Sequence, residues 1–120
     1  MGNRLTNVLI SLAVILVMDE PTAGQDYQNY MSFMDSILQM PGFGAVIFIT
    51  HDVDLAVIYA NRVLLLADGR LIADGPPETV LRDFEQLEDC RLVPSSLLAL
   101  NVERLPQTGS FMRAEALAHI

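Results

Sequence analysis

Val14-Ile15-Leu16-Val17-Met18-Asp19-Glu20-Pro21-Thr22-Ala23-Gly24-Gln25-Asp26 is the stretch that decides how this chain reads. A continuous apolar run without polar alternation predicts a parallel strand buried on both faces, here over Ala13 to Met18. It ends abruptly in two adjacent carboxylates. Asp26 is placed to cap a following helix, because its side chain can accept from the first free backbone N–H groups. From there Tyr27, Tyr30, Met31, Met34, Ile37 and Leu38 recur at three- and four-residue steps and make one apolar stripe. Pro41-Gly42 stops that helix. Ala45 to Ile49 reads as a second buried strand. Strand, helix and strand over this length form a βαβ unit, whose two strands run parallel. Asp19-Glu20 and Thr50-His51 should therefore reach the same edge of the sheet, where open α/β sheets take their ligands.

Outward from this core, Leu5 to Leu12 reads as the end of a helix. Downstream, Asp52 can cap a short helix through Ala60, and Arg62 to Ala67 reads as another apolar strand. Asp68-Gly69 favours a tight hairpin turn, with Arg70 to Ala73 returning antiparallel. Gly75-Pro76-Pro77-Glu78 starts a further helix. After Phe84 the character changes. Glu85, Glu88 and Asp89 read as a solvated acidic face. Pro94-Ser95-Ser96 begins a helix through Leu100, Pro106 to Ser110 reads as a turn or linker, and Arg113 to Ile120 as a last helix.

Composition narrows the function classes. Over 120 residues, 52% are apolar and 18% charged, which excludes a disordered chain. A net charge of −8 argues against a nucleic-acid binder, which needs a basic stripe, and against electrostatic docking on an anionic membrane surface. The single Cys90 permits no internal disulfide and reads as a structural or surface thiol. Arg4 followed by Val8 to Met18 imitates a signal peptide. The apolar run is nevertheless far short of the roughly 20 residues a span requires, and no small-residue cleavage site follows it. Met1-Gly2 with Thr6 matches the myristoylation pattern only formally, and lipidation is set aside. No cluster of His and Cys has metal-ligand spacing, and His119 reads as an ordinary surface residue.

Val14 to Asp26 closely resembles the Walker B motif and D-loop of ABC-type ATPases, and Ile47-Phe48-Ile49-Thr50-His51-Asp52 resembles their switch-histidine loop. Val63 to Gly75 resembles the family's terminal hairpin, and Pro76 to Leu81 the helix after it. The resemblance covers roughly Val14 to Leu81. It implies an α/β fold, part of a P-loop NTPase (ABC ATPase-like) core, with parallel strands, crossover helices, a terminal β-hairpin and a C-terminal helical tail. Residues 1–84 would be the C-terminal portion of a nucleotide-binding domain and residues 85–120 a helical extension.

By the same resemblance Asp19 helps hold Mg²⁺, Glu20 is the general base for the attacking water, and His51 contacts the γ-phosphate. Gln25 and Asp26 stand in the D-loop, which crosses the interface between two nucleotide-binding domains. Gln25 stands where Leu is more usual, a choice found in energy-coupling-factor-like importers. The implied cofactors are ATP and Mg²⁺. The implied partners are a second ATP-binding subunit and transmembrane permease subunits, at the cytoplasmic side of the membrane.

Other parts of the family pattern are not in this stretch. Its seven basic residues are all Arg, so GxxxxGK[ST] does not occur in it; nor do the Q-loop and the LSGGQ signature. The chain alone is therefore expected neither to bind MgATP tightly nor to turn it over, and its sheet to carry an open edge. Two readings follow: a truncated ATP-binding subunit of an importer, or a non-catalytic module that pairs with an intact ATPase subunit. A coincidental α/β domain and a peptide anchored through Val8 to Met18 complete the alternatives.

Overall fold

The computed structural model describes residues 15–20 and 26–119. The helix expected over Leu5 to Leu12, Ala13 and Gln25 lie outside the described residues. The chain divides into two units, Met1–Thr50 and His51–Ile120.

In the first unit, β1 (Ile15–Asp19) pairs in parallel with β2 (Ala45–Ile49), in register from Ile15 opposite Ala45 to Asp19 opposite Ile49. The helix α1 (Tyr27–Gln39) links them. Asp26 has an extended backbone, and its Oδ1 accepts from the Asn29 N–H at 2.8 Å, three residues on, as an N-cap should. The helix ends at Gln39, just before Pro41, whose ring disfavours helical geometry at Met40. Gly42 takes a φ of +101°, open to glycine and strained for other residues.

Of the apolar stripe, Tyr30, Met31 and Met34 are buried and Ile37 is half-buried. Leu38 is 43% exposed, so the stripe ends one residue earlier than its spacing predicts. The expectation of a strand buried on both faces fails for β2. Val46 and Phe48 are half-buried, whereas Ile47 and Ile49 are 48% and 55% exposed. An all-apolar strand is buried on both sides only where two layers cover it, and one face of β2 is bare.

The second unit begins with α2 (Val53–Tyr59), capped by Asp52, whose Oδ1 accepts from the Asp54 N–H at 3.0 Å. Then β3 (Val63–Ala67) and β4 (Arg70–Gly75) form the expected antiparallel hairpin. Asp68 and Gly69 sit at φ +52° and +75°, the left-handed pair that a two-residue turn of matching twist needs. The return strand runs two residues beyond Ala73. Its register shifts between Leu65 opposite Ala73 and Leu66 opposite Leu71, so Ile72 is an extra residue, a bulge. At the open end Arg62 grips Asp74 with two parallel bonds, Nε to Oδ1 at 2.9 Å and Nη2 to Oδ2 at 2.7 Å. These hydrogen bonds, aided by the guanidinium charge, hold the Asp74 carboxyl below its ordinary range.

The tail folds onto the same core. Short helices α3 (Pro77–Val80), α4 (Phe84–Asp89) and α6 (Ala114–Leu117) flank the longer α5 (Ser96–Thr108). Leu87 and Leu98 are fully buried in one cluster with Val53, Val57, Leu65, Val80 and Leu81. Each such leucine contributes about 1.5–3 kcal/mol relative to an exposed one. Glu85, Glu88 and Asp89 face solvent as expected, but on a helix, started by the Asp83 carboxylate accepting from Gln86. The helix from Ser96 does not stop at Leu100. It runs through Pro106 to Thr108 and closes on Gly109, whose φ of +75° and N–H bond to the Leu105 carbonyl make a left-handed cap. The segment 106–110 is thus the end of a helix rather than a linker: the break that Pro106 signals comes three residues later, at the Gly109 cap. No helix among the described residues is long and apolar enough to cross a membrane.

Candidate functional site

The parallel pairing brings the C-terminal ends of β1 and β2 side by side, and the chemistry gathers there. Asp19 is the last residue of β1, opposite Ile49, and is exposed. Glu20, half-buried, turns the chain out of the strand with a φ of +50°. That left-handed geometry is rare for a residue with a long side chain. It is held by a short bond from the Glu20 N–H to the Ile49 carbonyl, 2.7 Å. Across the same gap the Thr50 Oγ1 donates to Glu20 Oε2 at 3.2 Å. Two strand ends are thereby tied through both main chain and side chain.

His51 follows Thr50 directly and is exposed; its neighbour Asp52 caps α2. Asp26 acts as the cap of α1, a structural duty that leaves its backbone extended. The sequence brought Thr50 to this edge without giving it a role; the structure adds its bond to Glu20, one step past the last registered pair, Asp19 and Ile49. Asp54 carries a buried Oδ1 with no hydrogen-bond partner.

The second unit also holds an open groove of about 720 Å³ between the hairpin turn and α4, lined by Asp68, Arg70, Asp83, Glu85 and Asp89 among others. Asp19, Glu20, Asp26 and His51 do not line it. No group of three or more His, Cys, Asp or Glu could enclose a metal ion among the described residues.

No protein-family model matches the chain. Curated proteins do match. It is 39% identical over 97 residues, 80% of its length, to a protein of Streptococcus pneumoniae. It is 41% identical over 113 residues, 91% of its length, to one of Bacillus anthracis. A protein of Methanosarcina acetivorans is 40% identical over 94 residues, 76% of the chain. All three are provisionally named ABC transporter ATP-binding proteins. This chain is their homologue. It spans 17%, 20% and 15% of their respective lengths, a fifth or less of an ABC transporter ATP-binding protein.

That relationship sets the test for Mg²⁺ and ATP. Magnesium is commonly held by one or two carboxylates together with substrate phosphates, rather than by an all-protein cage. An exposed Asp19 at a strand end, without an enclosing ligand group, has the donor chemistry for that shared mode. The phosphate cradle is a different matter, because no lysine stands in this sequence to complete one.

Proposed function

We propose that this chain supplies the carboxylate-bearing half of an ABC-type nucleotide site, from the Walker B strand onward, and that the complete site powers transport through a membrane permease. The reading rests chiefly on one observation: Asp19 and Glu20 close β1 beside Thr50 at the end of β2, in a sequence 39% identical to the Streptococcus pneumoniae protein. The fold would then be part of a P-loop NTPase core, with residues 1–84 from the nucleotide-binding domain and 85–120 an extension of it. The Bacillus anthracis match supports counting the extension as family sequence: 91% of 120 residues is about 109, more than the first 84.

In the assembled site Mg²⁺ supplies positive charge against the β- and γ-phosphates. Asp19 is the residue here that would hold it. Glu20 accepts the proton of the attacking water, His51 donates to a γ-phosphate oxygen, and Gln25 and Asp26 face a second ATP-binding subunit. The phosphate-binding half, with its lysine, comes from other sequence. Gln25 favours the energy-coupling importers as the subclass, and the protein would then work at the cytoplasmic side of the membrane beside its permease.

Segment exchange tests this. The 97 matched residues of the Streptococcus pneumoniae protein are replaced by those of this chain, and Mg²⁺-dependent ATP hydrolysis is followed. The graft should hydrolyse ATP, and Glu20→Gln should slow it by about 10²–10⁴-fold, the usual worth of a general base. A Glu20→Gln graft as fast as its parent removes Glu20 from the chemistry. The isolated chain should show no turnover; hydrolysis by it, lost in Glu20→Gln, would overturn the need for a second half.

A second reading, a non-catalytic module paired with an intact ATPase subunit, draws support from the bare apolar face of the hairpin, where Leu64 and Leu66 are exposed. An inactive graft that still binds the intact relative would favour it.

A further inference from the structure

The end of β2 carries a hydroxyl where an apolar residue would serve the strand equally well. Residues 45–49 are all apolar, Thr50 follows them half-buried, and valine has the same branched shape. What the hydroxyl adds is the bond from Thr50 Oγ1 to Glu20 Oε2, made across 30 residues of chain. We propose that Thr50 is a positioning residue for Glu20, fixing the direction of its carboxylate at the strand edge.

Three features of the geometry carry this. The Glu20 backbone is pinned in a left-handed conformation by its N–H bond to Ile49, so the side chain starts from a set direction. Such strained conformations persist where surrounding contacts over-determine them, and they cluster at functional sites. Glutamate, however, has three rotatable bonds beyond that anchor, and its freedom has to be removed before a carboxylate can meet a water molecule in line. Thr50 can remove it, because its hydroxyl donates to the carboxylate from a strand end already tied to the Glu20 backbone. At 3.2 Å the bond is long for a hydroxyl donor. Contacts of this kind commonly tighten only when substrate is present.

The inference rests on Glu20 being the base, and its test separates the two claims. In the 120-residue chain, NMR couplings across Glu20 χ1, from backbone nitrogen and carbonyl carbon to Cγ, report whether one rotamer is held. A single rotamer is expected in the parent and in Thr50→Ser, and an averaged one in Thr50→Val. Unchanged couplings in Thr50→Val would overturn the proposal whatever Glu20 does. In the grafted ATPase, Thr50→Val should lower kcat about tenfold with KM for ATP unchanged, and Thr50→Ser should recover most of it. Full kcat in Thr50→Val, alongside an inactive Glu20→Gln, defeats the positioning role and leaves the base in place. An active Glu20→Gln defeats the base, and the rotamer measurement then stands alone.

Discussion

Asn101 is fully buried on α5, and its amide is spoken for on both ends. Nδ2 donates to the Leu97 carbonyl at 3.0 Å and to the Met112 carbonyl at 2.9 Å, while Oδ1 accepts from the Met112 N–H at 2.8 Å. The side chain thus pairs with the main chain of Met112 as a neighbouring strand would. Replacing it by Ala leaves both polar groups of Met112 without their partner, and each such loss is worth about 1–3 kcal/mol. Asn101→Ala should therefore destabilise the chain by about 2–4 kcal/mol in urea unfolding. A loss below about 1 kcal/mol would mean that water takes over the clamp. Asn101→Asp should not rescue, since it sets a carboxylate against two carbonyl oxygens. Nothing in the sequence announced this residue. An asparagine between apolar neighbours reads as surface, and only a fold that brings Met112 back eleven positions later explains it. The places of Asp19 and Asp26 were legible for the opposite reason: they are set locally, at the end of one strand and the start of one helix.

The hairpin was the most legible element, because Asp68-Gly69 states its turn in two letters. The space around Gly69 is open, with nothing within 4 Å of where a Cβ would stand, so the cost of a side chain there is purely conformational. Gly69→Ala, at φ +75°, should lower stability by about 1 kcal/mol without a change in fold, read from thermal unfolding and the far-ultraviolet spectrum. A neutral result would show that the turn can change type. Less legible were the bulge at Ile72 and the helices of the tail. A bulge depends on pairing, which is not local. The acidic run after Asp83 hid a helix start, and Pro106 suggested a break that the cap at Gly109 postpones. In both these helices of the tail the sequence held the correct signal beside a louder one.

Both units carry uncovered apolar surface: Ile47 and Ile49 on β2, and Leu64, Leu66 and Leu71 on the hairpin, where Leu66 is 64% exposed. Each sheet has two strands, so every strand among the described residues has one unpaired side. Apolar faces with open edges promote self-association, which the net charge of −8 opposes. Leu64→Thr with Leu66→Thr keeps residues suited to strands and removes the apolar face. It should raise the protein concentration at which light scattering first increases, and the gain should be largest at high salt, where charge repulsion is screened. An unchanged onset would place the adhesive surface elsewhere. The apolar runs announced strands correctly but not their cover, because burial on two sides depends on layers that a strand's own residues do not encode.

The fork between Arg62 and Asp74 also bears on the order in which the chain assembles. It closes a loop of twelve residues around a turn that forms by itself, so the hairpin can form within microseconds, before distant parts meet. The pairing that sets Glu20 against Thr50 must close a gap of thirty residues, with a larger entropic toll and a later place in the sequence of events. By the entropy of chain closure the edge that carries the carboxylates closes later than the hairpin, so a chain that has its hairpin can still lack that edge.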